Sequence, residues 1–159
     1  MVLAKSHIEV NNLRAGIERV GKLTDNVVRL GPFGIGIGGV LAWIPVVGPV
    51  YSFAAAAILV ALGVRARVPL SVLLPAFGVL AVRTVGESFA DLLPPPFSAA
   101  PDVAIDLFRA HKWAADMMVK AIDETRYVEG RRHRSNPAFA EIQARIRAGE
   151  ERRRVVFLG

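Results

Sequence analysis

Arg83, Glu87 and Asp91 stand at i, i+4 and i+8 in an otherwise apolar stretch, a spacing that puts all three on one helix face. Charges in such surroundings are costly, and they serve as a proton or ion relay or as a partner contact. The plainer reading is an Arg–Glu pair where a helix end meets a polar interface. Gly34, Gly36 and Gly39 match G-x-G-x-x-G. A dinucleotide-binding turn also needs a preceding strand and an acidic residue about 20 positions on. After Gly34 the first acidic residue is Glu87, so that chemistry is not expected. Gly34 and Gly38, at G-x-x-x-G spacing, predict instead a face where helices pack closely. His7, His111 and His133 lack metal-ligand spacing, the chain has no cysteine, and no G-x-S-x-G occurs. We therefore expect no catalytic residues, no metal and no cofactor, and read the chain as non-enzymatic.

The elements around these residues are dominated by Gly31–Val64, which carries no charged side chain and has Pro45, Gly48 and Pro49 near its middle. From Pro32 to Pro101 the only charges are Arg65, Arg67, Arg83, Glu87 and Asp91. The mean hydropathy of +0.40 is thus concentrated in one region. A straight membrane span needs roughly 20 apolar residues, and two spans with a turn need about 45. Gly31–Val64 falls between, so two short helices, near 33–44 and 50–64, are expected to turn back inside the hydrocarbon. Residues 68–101 look like a looser copy: Pro69 suits a helix start, an apolar helix runs through Val82, and Pro94, Pro95, Pro96 and Pro101 form a second break.

The expected fold is all-α. It is an integral membrane protein with two proline-broken hairpins, re-entrant or short transmembrane, and amphipathic flanking helices. Its parts are an N-terminal helix over 1–30, a membrane-embedded region over 31–128 with pseudo-repeats 31–64 and 68–126, and a basic tail over 129–159. Leu13, Ile17, Val20 and Val27 recur at helical spacing in the first part, opposite Arg14, Glu18 and Lys22. A long amphipathic helix is expected from Asp102 to about Arg126. Asn136-Pro137 is a cap and first-turn pair for a last helix. The apolar tip after Arg154 reads as a docking peptide or, by default, a frayed end.

The net charge of +6 points to a polyanionic partner. Arg65, Arg67, Trp113, Arg131, Arg132, Arg134, Arg152, Arg153 and Arg154 are the candidate surface for anionic lipid head groups or a partner. Nucleic acid is the less economical partner, because no recognised module accompanies the basic residues. Residues 1–30 lack the apolar core of a signal peptide. The positive-inside rule predicts a bacterial cytoplasmic membrane with both terminal regions on the cytoplasmic side.

Ile44-Pro45-Val46-Val47-Gly48, a following small-residue helix, Val68-Pro69-Leu70-Ser71-Val72-Leu73-Leu74 and the second break together resemble the bacterial family named domain of unknown function 4112, over roughly Lys22 to Tyr127. The resemblance implies a small membrane protein with two proline-broken hairpins and implies no activity. The family typically has an acidic residue after each Pro-x-x-Gly turn; here Pro49 takes the first such place, and Asp102 follows the second break. The function expected is a membrane-embedded structural or accessory subunit that self-associates or docks into a larger membrane complex. Its rivals are a small channel or transporter using the broken helices, and a soluble all-α protein with a masked apolar hairpin.

Overall fold

The computed structural model describes the backbone of residues 2–25, 28–30, 33–35, 47–90 and 101–159, and the side chains of 2–23, 50, 53–82 and 110–159. Helix α1 spans His7–Asp25. Ser6 caps it: the Glu9 N–H donates to Ser6 Oγ at 3.2 Å, and Glu9 Oε2 accepts the Lys5 N–H at 2.7 Å. The first bond satisfies a donor that the first helical turn leaves open, and the second ties down the residue before the cap. Val10, Leu13 and Ile17 form its buried stripe.

A short antiparallel pair follows, β1 (Val28–Leu30) with β2 (Phe33–Ile35), in register Val28↔Ile35. Helix α2 runs Val47–Arg65 and α3 runs Leu70–Ala90. Gly48 and Pro49 lie in the first turn of α2, where a missing N–H costs nothing. Pro75 lies inside α3 on its exposed side. Helix α4 spans Pro101–Asp123, with Pro101 as its first residue. Helix α1 packs on α4 and α2, and α3 packs on α4 and α2, so the four helices close a ring. Its centre holds Ile17, Leu59, Leu80, Ala114 and Met118, all essentially solvent-free. Gly21 permits the close α1–α4 crossing, because a Cβ there would lie 2.7 Å from the Ala115 Cβ.

The chain then leaves the helical pattern. Strand β3 (Thr125–Glu129), helix α5 (Pro137–Arg147) and strand β4 (Arg154–Leu158) form a β–α–β unit whose strands are parallel, Thr125 opposite Arg154 and Glu129 opposite Leu158. Asn136 caps α5 by accepting the Ala138 N–H, as its sequence predicts. Val156 and Leu158 join the main core, and Phe157 stacks obliquely on Phe139 with ring centres 5.9 Å apart. The apolar tip is therefore a strand seated on its own protein.

Two expectations are overturned. The protein is mostly helical and not all-α, because the described residues also contain two short two-stranded sheets. The integral membrane architecture, with its transmembrane or re-entrant hairpins, is also corrected: among the described residues no helix is long and apolar enough to cross a membrane. The physical reason lies in α1 and α4. Their apolar stripes face α2 and α3, so Leu59, Leu73, Ala76 and Leu80 are buried against protein. Counting apolar residues along the chain does not reveal that two amphipathic helices cover one side of them. In place of the expected ends of the first two helices, residues 28–30 and 33–35 are strands. Pro45, Pro94, Pro95 and Pro96 lie outside the described residues.

Candidate interaction surface

The turn between α2 and α3 is where the apolar hairpin meets the basic part of the chain. Helix α2 ends in a Schellman arrangement. The Val68 N–H donates to Gly63 C=O and the Arg67 N–H to Val64 C=O, each at 3.0 Å. The residue at the left-handed position is Arg67, φ +57°, where glycine is usual. Holding an L-residue there costs roughly 1–2 kcal/mol. Its side chain supplies the compensation: Nη1 donates to Phe157 C=O at 2.6 Å and Nη2 to Ala4 C=O at 3.2 Å. One guanidinium thus ties the turn to the N-terminal segment and to β4.

The turn's own carbonyls are taken up as well. Ala66 C=O accepts the Tyr127 hydroxyl at 2.7 Å, Arg67 C=O accepts Arg154 Nη1 at 2.7 Å, and Arg65 C=O accepts the Ala4 N–H at 3.0 Å. Burial pushes the Tyr127 phenol above its ordinary pKa, which keeps it a donor. Arg65 Nε donates to Val2 C=O at 3.3 Å.

Beside this turn lie two surfaces of opposite character. The first is the outer face of α2 and α3. Val50, Phe53, Ala54, Ala57, Ile58 and Ala61 recur at three- and four-residue spacing along α2, all exposed, and the stripe ends at Arg65. On α3 the matching stripe is Leu70, Leu74, Phe77 and Val82, also exposed. Phe53 is 65% exposed, Leu74 66% and Phe77 57%. Single exposed apolar residues are ordinary, but a contiguous uncharged face on two adjacent helices marks an interaction site.

The second surface is a groove of about 580 Å³ between α5 and β4, lined by Arg67, Arg132, Arg153 and Arg154 with Gln143 and Phe157. Glu151 also borders it. Its buried carboxylate accepts Arg126 Nη1 at 2.6 Å and Arg153 Nε at 3.4 Å, and the Arg126 hydrogen bond holds its pKa below the usual carboxylate range. A neighbouring hollow of about 660 Å³ is lined by Gly130, Arg131, Arg132 and His133.

The residues expected at a lipid or partner surface therefore separate. Arg65, Arg67, Arg153 and Arg154 gather at the turn and groove, joined by Arg132. Arg131 and Arg134 are exposed in the β3–α5 connection, Arg152 is exposed just before β4, and Trp113 is 45% exposed on α4. Arg83 and Glu87 fall on the last turns of α3, where side chains are not described, and Asp91 lies outside the described residues. Gly34 sits in β2 opposite Arg29, and Gly38 lies outside the described residues.

The family model described as a domain of unknown function (DUF4112) matches residues 14–122. The chain is a DUF4112 protein. Neither a curated protein nor a solved structure matches it. The DUF4112 match runs from α1 to the end of α4, which is the helical ring, and stops before β3. The apolar face thus belongs to the DUF4112 region. The arginine groove is built mainly by the β3–α5–β4 unit after it, with Arg67 reaching across.

Among the described residues no cluster of His, Asp and Glu is placed to hold a metal. His111 is buried in the ring. His133 Nδ1 lies 2.8 Å from Ser135 Oγ and accepts the Ser135 N–H at 3.2 Å, an exposed local turn. The features that reading the residues in order did not find are the Arg67 clasp and the Tyr127 hydroxyl. The one local signal was a helix stop at Arg65–Pro69 without the glycine such a stop normally uses.

Proposed function

We propose that this DUF4112 protein is a non-enzymatic attachment subunit that lies on an anionic lipid surface, at the cytoplasmic face of the bacterial membrane. It seats the outer face of α2 and α3 against the lipid, and the exposed Arg65 at the α2–α3 turn meets the head groups. The protein rests on the membrane and does not cross it. The observation that carries this reading is one uncharged face on two helices, ending at a turn flanked by Arg65 and Arg67. Burying a Phe or Leu side chain is worth about 1.5–3 kcal/mol. Each basic residue held near an anionic surface adds about 1 kcal/mol. Few such residues are needed for reversible attachment, and the arrangement is that of an interfacial element, not a spanning one.

The test is co-sedimentation with phosphatidylglycerol vesicles and with neutral phosphatidylcholine vesicles. The wild-type protein is expected to pellet with the anionic vesicles and to be released by salt in part only, since the apolar contribution is not screened. F77S and L74S are expected to stay in solution with their helical circular dichroism intact. A wild-type protein that ignores both vesicles, while F77S converts an oligomer to a monomer, would overturn the lipid reading and assign the face to a second copy of the chain.

A further inference from the structure

We infer that the groove between α5 and β4 binds a phosphate group, carried either by a phosphomonoester lipid headgroup or by a free phosphate. This goes beyond the attachment reading and does not depend on the apolar face. Four arginines line the groove: Arg67, Arg132, Arg153 and Arg154. One carboxylate, Glu151, borders them, and it is shared with Arg126 from outside the lining. The lining arginines thus outnumber that carboxylate by three.

The way two of these arginines are held strengthens the argument. Arg67 is fixed through the carbonyls of Phe157 and Ala4, and Arg154 through the carbonyl of Arg67. Carbonyls satisfy N–H donors but leave the positive charge uncompensated. Arg67 Nε is buried with no hydrogen-bond partner. Arg132 makes no ion pair among the described residues and is free to close on a ligand. Fixed cations beside one another repel, and an anion between them relieves that cost. A phosphomonoester places about −1.5 to −2 of charge on one compact group at pH 7, which offsets more of that excess than a single carboxylate can. The guanidinium fork also suits phosphate oxygens in a bidentate arrangement.

The experiment is calorimetric titration of the full chain with inorganic phosphate at constant ionic strength, run beside vesicles of phosphatidic acid and of phosphatidylglycerol. The variant is R132Q/R153Q, because both side chains are exposed and neither holds the turn; thermal melting checks its fold. If the site serves free phosphate, inorganic phosphate binds saturably and the variant weakens it by about tenfold. If the site serves a headgroup, phosphatidic acid is preferred over phosphatidylglycerol and the variant loses that preference. No saturable phosphate binding together with no preference between the two lipids would overturn the proposal. Binding unchanged in R132Q/R153Q would do the same. F77S separates the two ideas, since it is expected to lose vesicle attachment and keep inorganic phosphate binding.

Discussion

Helices α1 and α4 and helices α2 and α3 contribute to one core but present different outer faces. The outer sides of α1 and α4 are polar and cross-linked. Arg14 forks onto Asp123 at 2.7 and 2.9 Å, Lys22 meets Glu18 at 2.7 Å, and Lys112 meets Asp116 at 2.9 Å. The outer sides of α2 and α3, from Phe53 to Ala61 and from Leu70 to Val82, carry no charge at all. Water is a good solvent for the first pair and a poor one for the second. An apolar face is tolerated when something covers it, and the ring itself covers only the inner side.

The sharpest way to break this comparison is to truncate one residue on each side. Ile17 is fully buried between α1 and its neighbours, so Ile17→Ala is expected to cost about 2–5 kcal/mol in chemical unfolding. Phe77→Ser removes more apolar surface but from the outer face, and it should change stability by about 0.5 kcal/mol or less. A large loss in F77S would mean that α3 buries that face within the protein, and the contrast between the helix pairs would collapse.

The Arg67 clasp is expected to give the next largest effect. Arg67→Ala loses two charge-assisted hydrogen bonds and keeps the left-handed backbone, for a cost of about 2 kcal/mol. Arg67→Gly loses the same bonds but relaxes the backbone, and should recover about 1 kcal/mol of that. Equal losses in the two variants, read from denaturant midpoints, would show that the backbone conformation carries no strain. A smaller effect is expected at the α1–α4 crossing. Gly21→Ala gains helix propensity but drives a Cβ into Ala115, for a net cost of about 1–2 kcal/mol.

These sites differ in how far they can be read in advance. Leu13, Ile17 and Val20 of the α1 stripe, the Glu18–Lys22 pair and the Asn136-Pro137 helix start are local patterns, and all are present, while Val27 lies outside the described residues. The division of α2 and α3 into inner and outer faces is not local. Leu59 is buried and Ile58 is 49% exposed, yet both are large aliphatics in an unbroken apolar run, and only their distance from α1 and α4 separates them. The same limit hid β3 and β4, which pair in parallel across an intervening helix and so leave no hairpin signal. Arg67 reads as a surface charge because nothing in its neighbours announces a left-handed residue. Its partners, Ala4 and Phe157, lie far away in the chain. The candidate groove was legible only as a list of arginines; which of them converge depended on those distant contacts.

The smallest expected effect concerns the polar side of the comparison. Asp123 is held below the usual aspartate range by its hydrogen bonds from Arg14, with burial opposing. A carboxylate with a lowered folded-state pKa adds stability above its unfolded pKa, near pH 4, and loses it as the pH falls through the folded value. The same direction holds for Glu18, which Lys22 lowers. Both groups are well exposed, so solvent screens the gain, and Asp123→Asn is expected to cost about 0.5 kcal/mol at pH 7. The cost should shrink as the pH falls below the unfolded-state value, near pH 4, and on through the lowered folded-state value. High salt at pH 7 should shrink it too. Phe77→Ser, by contrast, should show neither dependence, because among the described residues no titratable group shares its face. Thermal melts of the two variants at pH 7 and pH 3, each with and without added salt, would measure the contrast directly. A pH-dependent F77S difference would place a titrating group beside the face that is uncharged here.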